Sequence, residues 1–283
     1  MTTGTPSTTF SNIRVVPNEK LYVSEPPPYM FGNPGNPGFN PTWTNDNWLK
    51  SRFHFSFAEY HNPRNTNFGV LRVMNDDLVQ PQRMFGTHPH RDMEIITYIV
   101  DGELTHEDSM GTKESLGRGS IQFMTAGTGV MHSEANDGEK PLRFIQTWIV
   151  PSERGLTPNY GSFRGDPDLR RNQLHHLVSN VKDTSVTTPV QINQDLDGFA
   201  SELEQGEKLT YDLAPGRQAY MLCIEGGVTV NGKKLRKYDA CEITGSGSVD
   251  IEAAETEETE HGPLAHILLF VMAAVPGSGR SDL

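Results

Sequence analysis

The sequence predicts an all-β protein made of two related barrels in tandem. Three observations carry this: short apolar runs punctuated by turn residues, a tight-turn signal between two of them, and an internal repeat. Ahead of the first run, EPPPYMFGNPGNPGFNP from Glu25 to Pro41 is so rich in Pro and Gly that it predicts an extended surface arm with a structural role. From about Trp48 the runs FHFSFAEY, GVLRVM, MEIITYIV, SIQFM and LRFIQTWIV alternate with Gly, Asp and Asn clusters, the pattern of a sandwich or barrel. A less regular stretch spans Pro151 to Pro189. The runs KLTYDL, QAYMLCI, GVTV, CEI, VDIEA and LAHILLFVM then resume the pattern. Asn231-Gly232 lies between apolar runs and predicts a two-residue hairpin turn, because both positions must take positive φ. The segment Asp195 to Gln205 is the helical candidate, short and expected outside the barrels.

The repeat appears when ITYIVDGELT from Ile96 is laid over YMLCIEGGVT from Tyr220, 124 positions later. In the same order, GSIQFM is matched near DACEIT, and LRFIQTWIV is echoed by LAHILLFVM. Duplication of one β unit accounts for the match. The expected organisation is an arm over 1–47, a first barrel over 48–165, and a linker with a second barrel over 166–283.

Composition narrows the function classes. A chain of 283 residues with 35% apolar content can bury a sizeable core, and its net charge of −12 supplies no electrostatic footprint for nucleic-acid phosphates. Direct nucleic-acid binding is not expected. Cys223 and Cys241 are too few for a disulfide framework and read as buried free thiols in a reducing compartment. With no basic segment leading an apolar run and no stretch long enough to span a bilayer, the expectation is a soluble cytoplasmic protein, nuclear if the source is eukaryotic.

The chemistry-bearing residues are two spaced pairs. In an extended segment, residues two apart share a face, so His88 and His90 in GTHPHRDME project together, and Pro89 between them favours extension. The same holds for His132 and Glu134 in GVMHSEAN, just after the turn residues Gly127 and Gly129. If the two pairs lie on neighbouring strands, three imidazoles and a carboxylate can converge on one divalent transition metal and leave coordination positions open. Glu94 has the same strand parity as His90 and is a rival acidic ligand, and parity alone does not choose between it and Glu134. One HxH would be read as ordinary polar side chains; two such pairs beside Gly-rich turns favour the metal. Shifted by the repeat offset, His88 and His90 land on Asp212 and Ala214, and the counterpart of the second pair reads VDIEAAE, so the second barrel is expected to be metal-free. His54, His61, His106, His175 and His176 are assigned core or surface roles, and the acidic run EAAETEETEH a solvated loop.

Taken together, NWLKSRFHFSFAEYHNP, GVLRVMNDD, FGTHPHRDMEIITYIVDGELTHEDSMG, IQFMTAGTGVMHSEAN and QTWIVP resemble the pirins, strongly over Trp48 to Pro158 and weakly beyond. The resemblance is closest to the bacterial branch that includes quercetin 2,3-dioxygenases. It implies a bicupin fold of two double-stranded β-helix barrels, with metal ligands at His88, His90, His132 and Glu134, and so selects Glu134 over Glu94. It further implies a quercetin 2,3-dioxygenase-like oxidoreductase in which Glu134 takes a substrate proton. The metal would be iron first, with Mn, Ni, Cu, Co and Zn as alternatives, and the partners a phenolic or enolic small molecule and dioxygen. A second implied function is an iron-dependent, redox-sensing regulator that binds a protein partner. Two departures stand out: the Pro/Gly arm has no obvious equivalent in compact bacterial members, and Phe53-His54 reverses the usual order, in which a histidine comes one place earlier.

Overall fold

Alternating apolar residues become strands when a second sheet covers their apolar face, and in this chain nearly every run does so. A computed structural model describes residues 12–35 and 47–275. The strands are, in order, β1 (Asn12–Val16), β2 (Tyr22–Ser24), β3 (Leu49–Phe53), β4 (Leu71–Val79), β5 (Arg83–His90), β6 (Glu94–Asp101), β7 (Leu104–Asp108), β8 (Lys113–Leu116), β9 (Ile121–Thr125), β10 (Val130–Asn136), β11 (Leu142–Ile149) and β12 (Asn159–Phe163). There follow β13 (His175–Asn180), β14 (Val190–Ile192), β15 (Leu196–Leu203), β16 (Lys208–Leu213), β17 (Arg217–Glu225), β18 (Gly227–Val230), β19 (Lys233–Arg236), β20 (Ala240–Thr244), β21 (Gly247–Glu255), β22 (Glu257–Thr259) and β23 (Gly262–Ala273). Among the described residues there is no α-helix, and no helix is long and apolar enough to cross a membrane.

The chain divides into two compact units. Within the described residues, one draws on 21–35, 47–166 and 177–195, and the other on 12–20, 167–176 and 196–275. The units interleave in sequence, since β1 belongs with the second and the parallel pair β13–β14 falls largely in the first. The division at 47 and 165 stands as our proposal for the bounds of the repeat itself.

In the first unit a sheet ordered β12-β9-β6-β11-β4-β3-β2 lies against a smaller one ordered β5-β10-β7-β8. Trp48, Ile99, Leu104, Leu116 and Phe144 form the core between them. The second unit repeats the plan: β1-β20-β17-β23-β15 against β16-β21-β18-β19, closed over Met221, Val228, Leu235, Ile251 and Leu269. Strand for strand, β6 matches β17, β9 matches β20 and β11 matches β23, the repeat seen in the sequence. Asn231 (φ 44°) and Gly232 (φ 75°) turn β18 into β19, with Val230 opposite Lys233, as a two-residue hairpin requires. Cys223 and Cys241 are both buried thiols in this core, where burial pushes the Cys241 thiol up.

Two expectations are corrected. Asp195 to Gln205 is not a helix: Leu196 to Leu203 form β15, paired with β23 from Leu196↔Met272 to Leu203↔Ala265. Leu196, Phe199 and Leu203 fit a helical stripe, yet Leu196, Gly198, Ala200 and Glu202 alternate along one buried face of the sheet, and cross-strand packing outweighs a pattern so short. Buried Glu202 on this strand meets Arg170 (3.2 Å). The Pro/Gly arm is not extended throughout, because Pro28–Phe31 form a 3₁₀ turn ended by Gly32 at φ 73°. Tyr29 and Met30 are exposed, as a surface arm predicts, while the Asn33 amide exchanges hydrogen bonds with both backbone groups of Met84 (each 2.9 Å) and ties the arm to β5. The part of the arm over 36–41 lies outside the described residues.

Candidate metal centre

The centre is built on β5 and β10, which pair antiparallel with His132 opposite His88. As an edge strand of its sheet, β5 tolerates Pro89, whose missing N–H costs no ladder bond there. A register shift between His132 and Glu134 sets Glu134 opposite Phe85, so β5 bulges around Gly86 and Thr87. That bulge presents the Gly86 carbonyl to His88, whose Nδ1–H donates to it at 2.7 Å, leaving the Nε2 lone pair free. His88 Nε2 and His132 Nε2 stand 3.1 Å apart, and buried His90 Nε2 has no hydrogen-bond partner. One donor atom from each of His88, His90 and His132 lies within 4.8 Å of the other two. Upstream, the turn holding β10 in place depends on Gly127 (φ 46°), where a Cβ would sit 2.0 Å from the Leu156 carbonyl oxygen.

Glu134 faces the same space from β10. Its Oε1 accepts from Thr97 Oγ1 and Gln122 Nε2 (both 3.2 Å), and its Oε2 from Gln146 Nε2 (2.7 Å). Gln146 is oriented in turn by accepting from Trp148 Nε1 at 3.1 Å, and Gln122 by accepting from the Tyr160 hydroxyl at 3.2 Å. A carboxylate fixed by three neutral donors is a prepared ligand or base. Burial, reinforced by the neighbouring imidazoles, pushes His90 and His132 down to about 3, so both rings stay neutral across the physiological range. Neutral imidazoles with bare nitrogens beside a carboxylate are a donor set for a divalent transition metal, and such donors could hold one here.

The rival carboxylate is elsewhere. Glu94 begins β6, where its Oε2 accepts from Thr125 (2.8 Å) and its Oε1 from the side chain of Asn193 (2.9 Å); burial raises it above the usual carboxylate range against those hydrogen bonds. His106, assigned above to a generic core or surface role, is buried and also borders the centre: one of its ring nitrogens lies within 4.8 Å of a His132 ring nitrogen and a Glu134 carboxylate oxygen. The legible signal was alternation, since Leu104, His106 and Asp108 share the buried face of β7. On the corresponding strands of the second unit, β16 and β21 bring Leu213, Val249 and Ile251 to an apolar core.

Beside the histidines opens a cavity of about 280 Å³. Its walls are aromatic: Trp148 meets the His90 ring edge-on at 4.8 Å, Phe31 approaches His88 at 6.1 Å, and Phe57 bridges Phe53 and Trp148. The arm contributes Met30 and Phe31 to this wall. The reversed Phe53-His54 order has a consequence here, for Phe53 lines the cavity while His54 is buried and held down to about 4 by that burial. Polar side chains share the wall with these rings. Among them is Asp77, which accepts a hydrogen bond from Ser51 and which burial, with the nearby charges of Asp76 and Glu134, pushes up to about 8.

Residues 39–149 match the Pirin family and residues 177–270 the quercetinase C-terminal cupin domain. The chain is 38% identical over 215 residues to a quercetin 2,3-dioxygenase of Escherichia coli K12, covering 76% of this chain and 90% of that protein. A pirin-like protein of Caulobacter vibrioides is 39% identical over 211 residues, covering 75% and 90% respectively. In three dimensions the chain is similar to the bacterial pirin YhhW of Escherichia coli, solved in complex with nickel(II), at TM-score 0.75 and 30% identity over 93% of this chain and 100% of that one. Its duplicated two-sheet plan and these matches over both halves make the chain a member of the pirin family of bicupins.

Proposed function

We propose that this chain is a metal-dependent dioxygenase that opens flavonol-like polyphenols, with His88, His90, His132 and Glu134 holding one divalent transition metal. The observation that carries the reading is the meeting of neutral imidazoles and a hydrogen-bonded carboxylate at the end of an aromatic-walled cavity. Iron is the leading candidate, and Mn, Ni, Cu, Co or Zn suit the same donors. When bound, the ion supplies Lewis-acid stabilisation of an enolic oxygen.

The chain's own residues account for the remaining requirements. Flat rings at Phe31, Phe53, Phe57 and Trp148 bind and orient a planar substrate by stacking and edge contacts. Glu134 is the base: its Oε2, aimed by Gln146, takes the substrate hydroxyl proton. The resulting anion, electron-rich at the ring carbon next to the enolic oxygen, is the partner for dioxygen.

Anaerobic mixing with quercetin followed by oxygen tests the reading through loss of the flavonol absorbance and release of carbon monoxide. Absence of turnover with every one of Fe, Mn, Ni, Cu and Co would refute it. Glu134→Gln should keep the metal and lose about 10²–10⁴-fold in turnover. Full turnover with metal still bound would remove Glu134 as the base.

A further inference from the structure

His106 and Asp108 take no part in the function proposed above, yet they are buried beside it. Asp108 Oδ1 accepts from the backbone N–H groups of Met110 (2.9 Å) and Thr112 (3.1 Å), while its Oδ2 lies 3.0 Å from His106 Nε2. With Oδ1 on two backbone N–H groups and Oδ2 on an imidazole nitrogen, both oxygens of this carboxylate are placed as acceptors. An ionised Oδ2 can only accept, so the His106 proton sits on Nε2 and His106 Nδ1 is a bare acceptor. Tyr160 stacks on the ring at 4.6 Å, with planes 21° apart, and opposes its turning over.

His132 presents the complementary case. For His132 Nε2, the nitrogen facing His88, to bind a cation, its proton must sit on Nδ1. His132 Nδ1 and His106 Nδ1 are both buried, and neither has a hydrogen-bond partner. The two rings are 5.3 Å apart, on neighbouring strands where Glu134 faces His106 and His132 faces Asp108. One orphaned donor and one orphaned acceptor therefore sit on adjacent buried rings, where each costs free energy unless it is satisfied.

We infer that Asp108 and His106 are positioning residues for His132: Asp108 sets the tautomer of His106, and His106 Nδ1 receives the Nδ1–H of His132, directly or across one water. The inference rests on the metal reading above. It extends a carboxylate–imidazole pair by one ring, so that the ligand is aimed from two residues away.

Asp108→Asn provides the sharp test. Its amide oxygen must stay with the Met110 and Thr112 N–H groups, which turns the amide N–H toward His106 Nε2. The His106 proton then moves to Nδ1 and two donors oppose each other. The expected result is an affinity for Zn(II) or Ni(II), measured by competition with a chromogenic chelator, about ten- to a hundred-fold weaker than wild type. Imidazole ¹⁵N shifts of the Zn(II)-loaded proteins should show His106 as the Nε2–H tautomer in wild type and the Nδ1–H tautomer in the variant. His106→Asn places an amide oxygen where Nδ1 was and should bind metal more tightly than His106→Leu, with thermal midpoints of the metal-free variants confirming that each folds. Wild-type affinity in Asp108→Asn, or an Nδ1–H tautomer for His106 in the wild type, would overturn the inference. So would complete loss of binding in both His106 variants, which would make His106 a ligand. If wild type fails to take up one equivalent, or His132→Ala still does, it is the metal reading that falls.

Discussion

Asp77→Asn should gain stability relative to wild type as pH rises from about 4.5 to about 7.5. The Asp77 carboxyl lies on the cavity wall, 3% exposed, and is pushed from 3.8 up to about 8 by burial, against the hydrogen bond from Ser51 and with the charges of Asp76 and Glu134 adding to the rise. Between those two values the unfolded chain is deprotonated while the folded chain keeps the proton, so folding takes up a proton. The contribution is fully present below about 3.8 and is lost as pH rises toward 8. Each pH unit in the window costs about 1.4 kcal/mol, or about 4 kcal/mol from about pH 4.5 to about pH 7.5. His54, held down to about 4, and His90 and His132, held down to about 3, give the opposite slope below 6.5, since stability is lost there as pH falls. That slope is common to both proteins and cancels in their difference. The assay is denaturant unfolding of metal-free wild type and Asp77→Asn at several pH values, read by tryptophan fluorescence, as all three tryptophans lie between residues 43 and 148. Asn keeps the acceptor for Ser51 and has no proton to take up, so the variant should gain on wild type as pH rises. A stability difference independent of pH across the window would show that Asp77 is ionised in the folded protein, and the burial argument would fail.

Two further outcomes follow from the centre and its supports. Adding Zn(II) or Ni(II) at about a hundred times its dissociation constant should stabilise the folded protein by about 2.7 kcal/mol, seen as a raised thermal midpoint, and His88→Ala should abolish the rise; an equal rise in the variant would contradict the assigned donors. Gly127→Ala forces a Cβ to 2.0 Å from the Leu156 carbonyl oxygen at a φ of 46°. It should cost about 2–4 kcal/mol in denaturant unfolding, and an unchanged midpoint would mean that the turn before β10 can relax.

Much of the architecture was legible because it depends on local periodicity. Strand runs, the Asn231-Gly232 hairpin and the repeat between Ile96 and Tyr220 are short-range signals, each set by side-chain alternation or by φ at one or two residues. Spacing alone likewise paired His88 with His90 and His132 with Glu134, since residues two apart on a strand share a face whatever the rest of the chain does. Tertiary structure decided what required a partner strand. Leu196 to Leu203 became a strand because β23 lies beside it, although its own spacing suits a helix equally well. Glu94 and Glu134 have indistinguishable sequence parity and were separated in space by sheet membership, one bound to Thr125 and Asn193 and the other facing the histidines. Alternation could place His106 on the buried face of β7, but it was the register of β7 on β10, a long-range pairing, that brought it to the centre. The arm at Phe31 came to wall the cavity because Asn33 fastens it to Met84, 51 residues further along the chain. Local sequence thus determined which residues could share a face, and the sheet register determined which faces met.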